Sequence, residues 1–273
     1  MKLAISGKGG VGKSTLAAAL ALLLARKQSD ESSSSSSSSS SRVLAVDADP
    51  DSNLALSLGI SEEKIQRQIP TIANEAAMIE ERTGAKVKQY GQMFKLNPEV
   101  SDLLDKYAIV HQGVALLVLG GIESGGSGCA CPENTLIRAL VSDLILHKDE
   151  TLIMDMAAGI EHLGRATARG VDVMLVVVEP GQRSIECAQR IIRMSKEIGI
   201  RKIKIVANKI TSADDEKFIQ NAFQDTFQDA CIVGSIPYSL EIRDKDKNKK
   251  SILENLSSDL ICRFEEILKR IKN

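Results

Sequence analysis

The chain has 273 residues, 43% of them hydrophobic and 26% charged, with 35 Lys and Arg against 36 Asp and Glu. A net charge of −1 supplies no global attraction for nucleic acid or an anionic membrane, and no apolar run is long enough to span a bilayer. Aromatics make up only 3% and Trp is absent, so an aliphatic core is expected in one domain spanning 1–273.

Residues 3–5 form a short apolar run that reads as a buried strand. A strand this close to the start leaves no room for a signal peptide, so the expected location is the cytoplasm. The five cysteines are then expected to be reduced. Gly7-Lys8-Gly9-Gly10-Val11-Gly12-Lys13-Ser14 follows and matches G-x-x-x-x-G-K-[ST], the phosphate-binding P-loop. Residues 15–26, opening at Thr15, are rich in Ala and Leu and predict a helix. A glycine-rich turn between strand and helix lets backbone N–H groups surround phosphate oxygens, and the helix N-terminus adds positive potential. Lys13 is expected on the β- and γ-phosphates, and the Ser14 hydroxyl on Mg²⁺. With the early lysine, Lys8, the loop resembles the deviant Walker A motif of the MinD/ParA/nitrogenase-iron-protein group. That resemblance implies an ATPase, binding ATP and ADP, that works as a nucleotide-bridged homodimer. It also implies that Lys8 crosses to the partner's nucleotide.

An uninterrupted serine run at 32–41 reads as a flexible insert and carries no expected site. Residues 43–46 predict a second buried strand, ending in Asp47-Ala48-Asp49-Pro50-Asp51-Ser52-Asn53. Carboxylates at the C-terminal end of such a strand sit where open α/β sheets bind ligands. The string resembles the family's switch I, which implies that Asp49 orients or activates the attacking water and that Asp47 lies near Mg²⁺.

Residues 61–114 read as a polar, partly helical region, with Glu80, Glu81, Arg82 and Lys86 on its surface and a short edge segment at Phe94 and Leu96. A strand is expected at 114–119, then a glycine-rich loop leading to Cys129-Ala130-Cys131-Pro132-Glu133-Asn134 and a helix at 135–146. Residues 151–155 form a strand ending in Asp155, the Walker B pattern, with Asp155 expected to hold Mg²⁺ through water. The Gly159 N–H is expected to sense the γ-phosphate in a switch II. Residues 173–178 are the most continuous apolar run and predict a central parallel strand. A helix at 183–198 and a strand at 202–206 follow. Asn208-Lys209 closes that strand and resembles the family's base-contacting pair. A last strand at 232–236 leads to Pro237-Tyr238, expected to wall the base pocket. Residues 243–250 read as a solvated loop. Residues 253–271 read as an amphipathic helix packed on the sheet, with membrane targeting as the alternative for its basic tip. The alternation predicts an α/β fold: a three-layer P-loop NTPase whose mostly parallel sheet is covered by helices on both faces. His111, His147 and His162 show no metal-ligand spacing.

Two cysteines in a glycine-rich loop ending in proline do not read as core packing. A disulfide across one residue is strained, whereas thiolates suit a soft or borderline metal. One chain supplies two sulfurs, and a two-fold dimer supplies four from Cys129 and Cys131, enough for Zn²⁺ or Ni²⁺. The loop and the segment from Asp155 to His162 are similar to those of the CooC-type carbon monoxide dehydrogenase maturation ATPases and the related AcsF proteins. This resemblance implies a metallochaperone aiding nickel insertion into carbon monoxide dehydrogenase or the acetyl-CoA synthase complex. The alternatives are a positioning or partitioning ATPase, which has no use for the cysteines, and an electron-transfer ATPase with an iron–sulfur cluster.

Overall fold

The computed structural model describes residues 1–34, 43–87, 89, 91–120, 131–147, 150–158, 163, 165–224 and 230–272. The elements in chain order are β1 (Lys2–Gly7), α1 (Lys13–Ser34), β2 (Val43–Ala48), α2 (Leu54–Ser57), α3 (Glu62–Gln68), a 3-10 turn (Ile72–Asn74), α4 (Ala76–Thr83), α5 (Leu103–Tyr107), β3 (Ile109–His111), β4 (Val114–Val118) and α6 (Pro132–Leu146). They continue with β5 (Thr151–Met156), α7 (Arg165–Ala168), β6 (Val173–Val178), α8 (Gln182–Ile198), β7 (Ile203–Ile210), α9 (Ala213–Gln224), β8 (Ala230–Pro237), α10 (Leu240–Lys247) and α11 (Ser258–Lys272). The eight strands form one sheet in the order β3-β4-β2-β5-β1-β6-β7-β8. Among the described residues, only the β3–β4 pair is antiparallel. Every side chain of β2, β4 and β6 is buried, as a parallel strand covered on both faces requires.

Helices cover the two faces. One core joins α4, α6, α8 and α9 to the sheet, and the other joins α1, α2 and α11 to the opposite face. Residues 16–25 of α1 are buried without exception, so this helix lacks the polar face of a surface helix. It is enclosed by the sheet on one side and α11 on the other. The α11 stripe, Leu260, Phe264, Ile267, Leu268 and Ile271, is buried in that layer. Its approach to β8 is close: a Cβ at Gly234 would lie 2.5 Å from Ile267 Cγ1. Each such side chain contributes about 1.5–3 kcal/mol by burial, so handing the stripe to a membrane would cost the core.

Several boundaries differ from expectation. Phe94 and Leu96 lie in no strand, and Leu96 is exposed. The edge of β4 is taken instead by β3, joined to it through Gln112 and Gly113, both with positive φ (48° and 79°), the geometry of a tight hairpin. Arg82 is not a free surface residue, because it pairs with Asp102 at 2.6 Å. Residues 243–247 belong to α10, not to a loop. Its cap Ser239 accepts hydrogen bonds from the Glu241 and Ile242 N–H groups, the local signal that starts a helix. The last helix begins at Ser258, and Leu253 and Leu256 pack in the turn before it.

Candidate functional site

The C-terminal ends of β1, β2, β5, β6 and β7 converge on the loop that leaves β1. Gly12 has φ +98°, and a Cβ there would lie 2.4 Å from Asn208 Nδ2, so the turn requires glycine. The loop is tied to β7 from behind. Asn208 Nδ2 donates to the Val11 carbonyl at 2.7 Å, and Lys209 Nζ donates to the Gly10 carbonyl at 2.7 Å. Both residues sit inside β7 rather than at its end, at a register shift between Ala207 and Ile210. Lys209 has φ 59° there. Their side chains therefore grip the P-loop in this structure, an occupation that the base-contact reading did not include.

Lys13 is buried at the start of α1. Its Nζ lies 3.4 Å from Asp49 Oδ2 and donates weakly to the Lys8 carbonyl at 3.5 Å. Val46 and Asp47 in β2 run beside Met154 and Asp155 in β5, which places Asp47 and Asp155 side by side. Asp47 is fully buried, and its two oxygens accept the Asp49 N–H at 3.2 Å and the Leu54 N–H at 3.0 Å. Burial pushes its carboxyl well above the usual carboxylate range, and the Asp155 charge pushes the same way, while the two N–H groups act against them. Asp47 thus staples the loop that presents Asp49. Asp49 Oδ1 in turn accepts the Asp51 N–H at 3.2 Å.

Asp155 is buried with neither carboxylate oxygen in a well-formed hydrogen bond. Burial pushes its pKa up to about 7, with the Ser14 hydroxyl and Lys13 partly offsetting it. An orphaned buried carboxylate beside a serine hydroxyl is a donor set that fits a hard divalent cation holding most of its water. Ser6 Oγ donates to the Ala157 carbonyl at 2.8 Å, fixing the chain just past Asp155 to the end of β1. A group whose folded pKa exceeds its unfolded value holds a proton in the fold between the two. Stability from Asp155 is therefore full below about pH 4 and is lost as pH rises through about 7. A divalent cation that replaces this proton should raise the melting temperature more at pH 8 than at pH 6. Asp155→Asn should erase the difference, which thermal melts with and without Mg²⁺ would measure.

Lys8 is partly exposed but held by an ion pair. Its Nζ pairs with Glu179 Oε1 at 2.9 Å, and Lys209 Nζ pairs with Glu179 Oε2 at 2.9 Å. Burial alone would raise the Glu179 carboxyl, but the hydrogen bonds from Lys209 and Lys8 win and hold it below its ordinary value. Glu179 was not singled out from sequence, since an acid before Pro180-Gly181 reads as an ordinary turn.

Cys131 caps α6: its Sγ accepts the Asn134 N–H at 3.5 Å. Burial raises the thiol pKa, with Asn134 lowering it and Glu133 raising it. Cys129 and Gly159 lie outside the described residues, as do residues 160–162. Among the described residues no group of three or more His, Cys, Asp or Glu could hold a metal ion. Pro237 ends β8, and Tyr238 beside it is half exposed, accepting from Arg243 Nη1 at 3.2 Å.

The family model described as the CobQ/CobB/MinD/ParA nucleotide binding domain matches residues 33–252. An uncharacterized ATP-binding protein of Methanocaldococcus jannaschii is 38% identical over 99% of this chain and 97% of its own length. Carbon monoxide dehydrogenase accessory protein CooC of Rhodospirillum rubrum is 40% identical over 90% of this chain and 87% of its own. Among solved structures, the MinD cell division protein of Aquifex aeolicus superposes with a TM-score of 0.64 at 20% identity, covering 100% of this chain and 97% of that one. A ParA family ATPase of Chlorobium tepidum gives a TM-score of 0.64 at 20% identity, covering 100% and 98%. These two share the fold.

Proposed function

The chain belongs to the CobQ/CobB/MinD/ParA nucleotide-binding family as an ATPase of the CooC type, and from that premise we propose that it is a nucleotide-dependent dimeric metallochaperone. Its cysteines take Ni²⁺ or Zn²⁺, its role is to aid nickel insertion, and its client is carbon monoxide dehydrogenase or the acetyl-CoA synthase complex. The observation that carries this reading is the 40% identity to the accessory protein, which extends over 90% of the chain. The C-x-C pair of the sequence, Cys129 and Cys131, supports it. The apolar face of α11 is spent on the core, so that helix lends no support to a membrane-positioning role.

The nucleotide phosphates occupy the cup formed by Gly7 to Thr15, with N–H groups of the loop and the α1 N-terminus facing them. Lys13 neutralises the β- and γ-phosphates. The phosphates compete with Asp49 for Lys13, and the freed Asp49 carboxylate orients the attacking water. Ser14 and Asp155 would hold Mg²⁺, with Asp47 behind them, and the ion would supply positive charge to the phosphates. Gly159 reads the γ-phosphate, and Asn208, Lys209 and Pro237 border the base. Lys8 reaches the nucleotide of a second copy. Hydrolysis relaxes both switch segments and alters the spacing of Cys129 and Cys131 across the dimer axis, passing the cargo on.

Metal titration tests the proposal. Anaerobic protein should take up about one Ni²⁺ or Zn²⁺ per dimer, as a four-thiolate site requires. Affinity should fall with acid, because protons compete for thiolates, and should change when ATP is bound. Changing both Cys129 and Cys131 to serine should abolish uptake and leave nucleotide binding intact. Tight binding of one ion per monomer in that double variant would overturn the shared site. A brown protein with iron–sulfur absorbance would favour the electron-transfer alternative.

A further inference from the structure

One carboxylate serves two lysines beside the P-loop. Glu179 follows β6, and its backbone N–H donates to Ser184 Oγ at 3.1 Å, which anchors it to the first turn of α8. Oε1 takes Lys8 and Oε2 takes Lys209, each at 2.9 Å. Lys209 reaches on to the Gly10 carbonyl at 2.7 Å. The Lys8 side chain is therefore folded back onto its own chain.

The charges favour release. The cluster of two lysines and one acid carries net +1, and the lysines repel each other. When Lys8 leaves, Glu179 remains neutralised by Lys209, so no unpaired carboxylate is stranded. The Lys8 and Lys209 side chains are 38% and 40% exposed. A pair with that much water access is worth about fivefold or less in an equilibrium. A triphosphate presented by another copy is a stronger partner for a lysine than a shared carboxylate.

Building on the dimeric reading above, we propose that Glu179 is a latch. It holds Lys8 in cis until a nucleotide-loaded second copy takes it in trans, and Lys209 both keeps the latch in place and lowers the cost of opening it. Glu179 is a positioning residue that acts through Lys8 and touches no reacting atom. Each protomer of the dimer opens one latch.

The test uses the full chain with Glu179→Gln, Lys8→Ala and the double variant. Glu179→Gln should raise amine labelling of Lys8 severalfold in protein without nucleotide, read by mass spectrometry. With a non-hydrolysable ATP analogue it should tighten the dimer up to about 25-fold by sedimentation, since two latches of about fivefold each are removed. Monomeric ADP affinity should stay within about twofold, which separates a latch from mere support of the P-loop. The double variant should dimerise no better than Lys8→Ala alone, because the latch acts only through that lysine. Unchanged Lys8 labelling overturns the latch. So does a Glu179→Gln dimer weakened in step with ADP affinity. A parent protein that stays monomeric with the analogue overturns the dimeric reading itself, and the labelling result then still reports on the cis pair separately.

Discussion

Lys13→Ala is expected to lower ATP affinity by about 100-fold or more, because it removes the buried P-loop cation proposed to neutralise the β- and γ-phosphates. The structure adds a second consequence. Lys13 is 5% exposed and faces Asp49 at 3.4 Å, and its charge also eases the ionisation of Asp155. Alanine leaves three acids, Asp47, Asp49 and Asp155, crowded at the ends of β2 and β5 without that compensation. The variant should therefore lose about 2–3 kcal/mol of stability, less than the full cost of breaking a buried pair because Asp49 keeps some access to water. Calorimetric titration with ATP and denaturant unfolding measure the two effects. ATP affinity within tenfold of the parent would put the phosphates somewhere other than the cup of the P-loop.

The parts of this molecule that could be read from sequence are those where one local pattern has one structural meaning. The runs at β2, β4 and β6 are apolar without alternation because both faces of the sheet are covered. The step from residues 3–5 through the glycine loop into an Ala- and Leu-rich helix has no competing interpretation. What could not be read depends on contacts distant in sequence. The grip of Asn208 and Lys209 on the P-loop arises from a bulge in β7 that puts Lys209 at positive φ, and no glycine marks it. Glu179 becomes a partner of Lys8 only after β6 pairs with β1. The edge of the sheet was misplaced at Phe94 because an apolar pair there looked like a strand, while the hairpin at Gln112-Gly113 carries only one glycine. In the site, the acids were legible as a group, but their division of labour was not, since it depends on which oxygens face backbone N–H groups.

That division gives the last expectation. Asp49→Ala should retain ATP binding and lose about 100- to 10,000-fold in turnover, the usual range for a residue that positions or deprotonates a nucleophile. Asp49 in this structure rests on Lys13, the same cation proposed to meet the phosphates. Removing the acid frees Lys13, so ATP should bind as tightly as in the parent or more tightly. Asp47→Ala should behave differently. Its carboxyl is buried and holds the N–H groups of Asp49 and Leu54, so its loss leaves two donors unsatisfied and costs about 2–4 kcal/mol of stability along with activity. A single-turnover assay with nucleotide affinity measured in parallel separates the two. Parent-like hydrolysis by Asp49→Ala would move the water-directing role to another residue. Stability unchanged in Asp47→Ala would show that the loop carrying Asp49 is held by something other than that carboxylate.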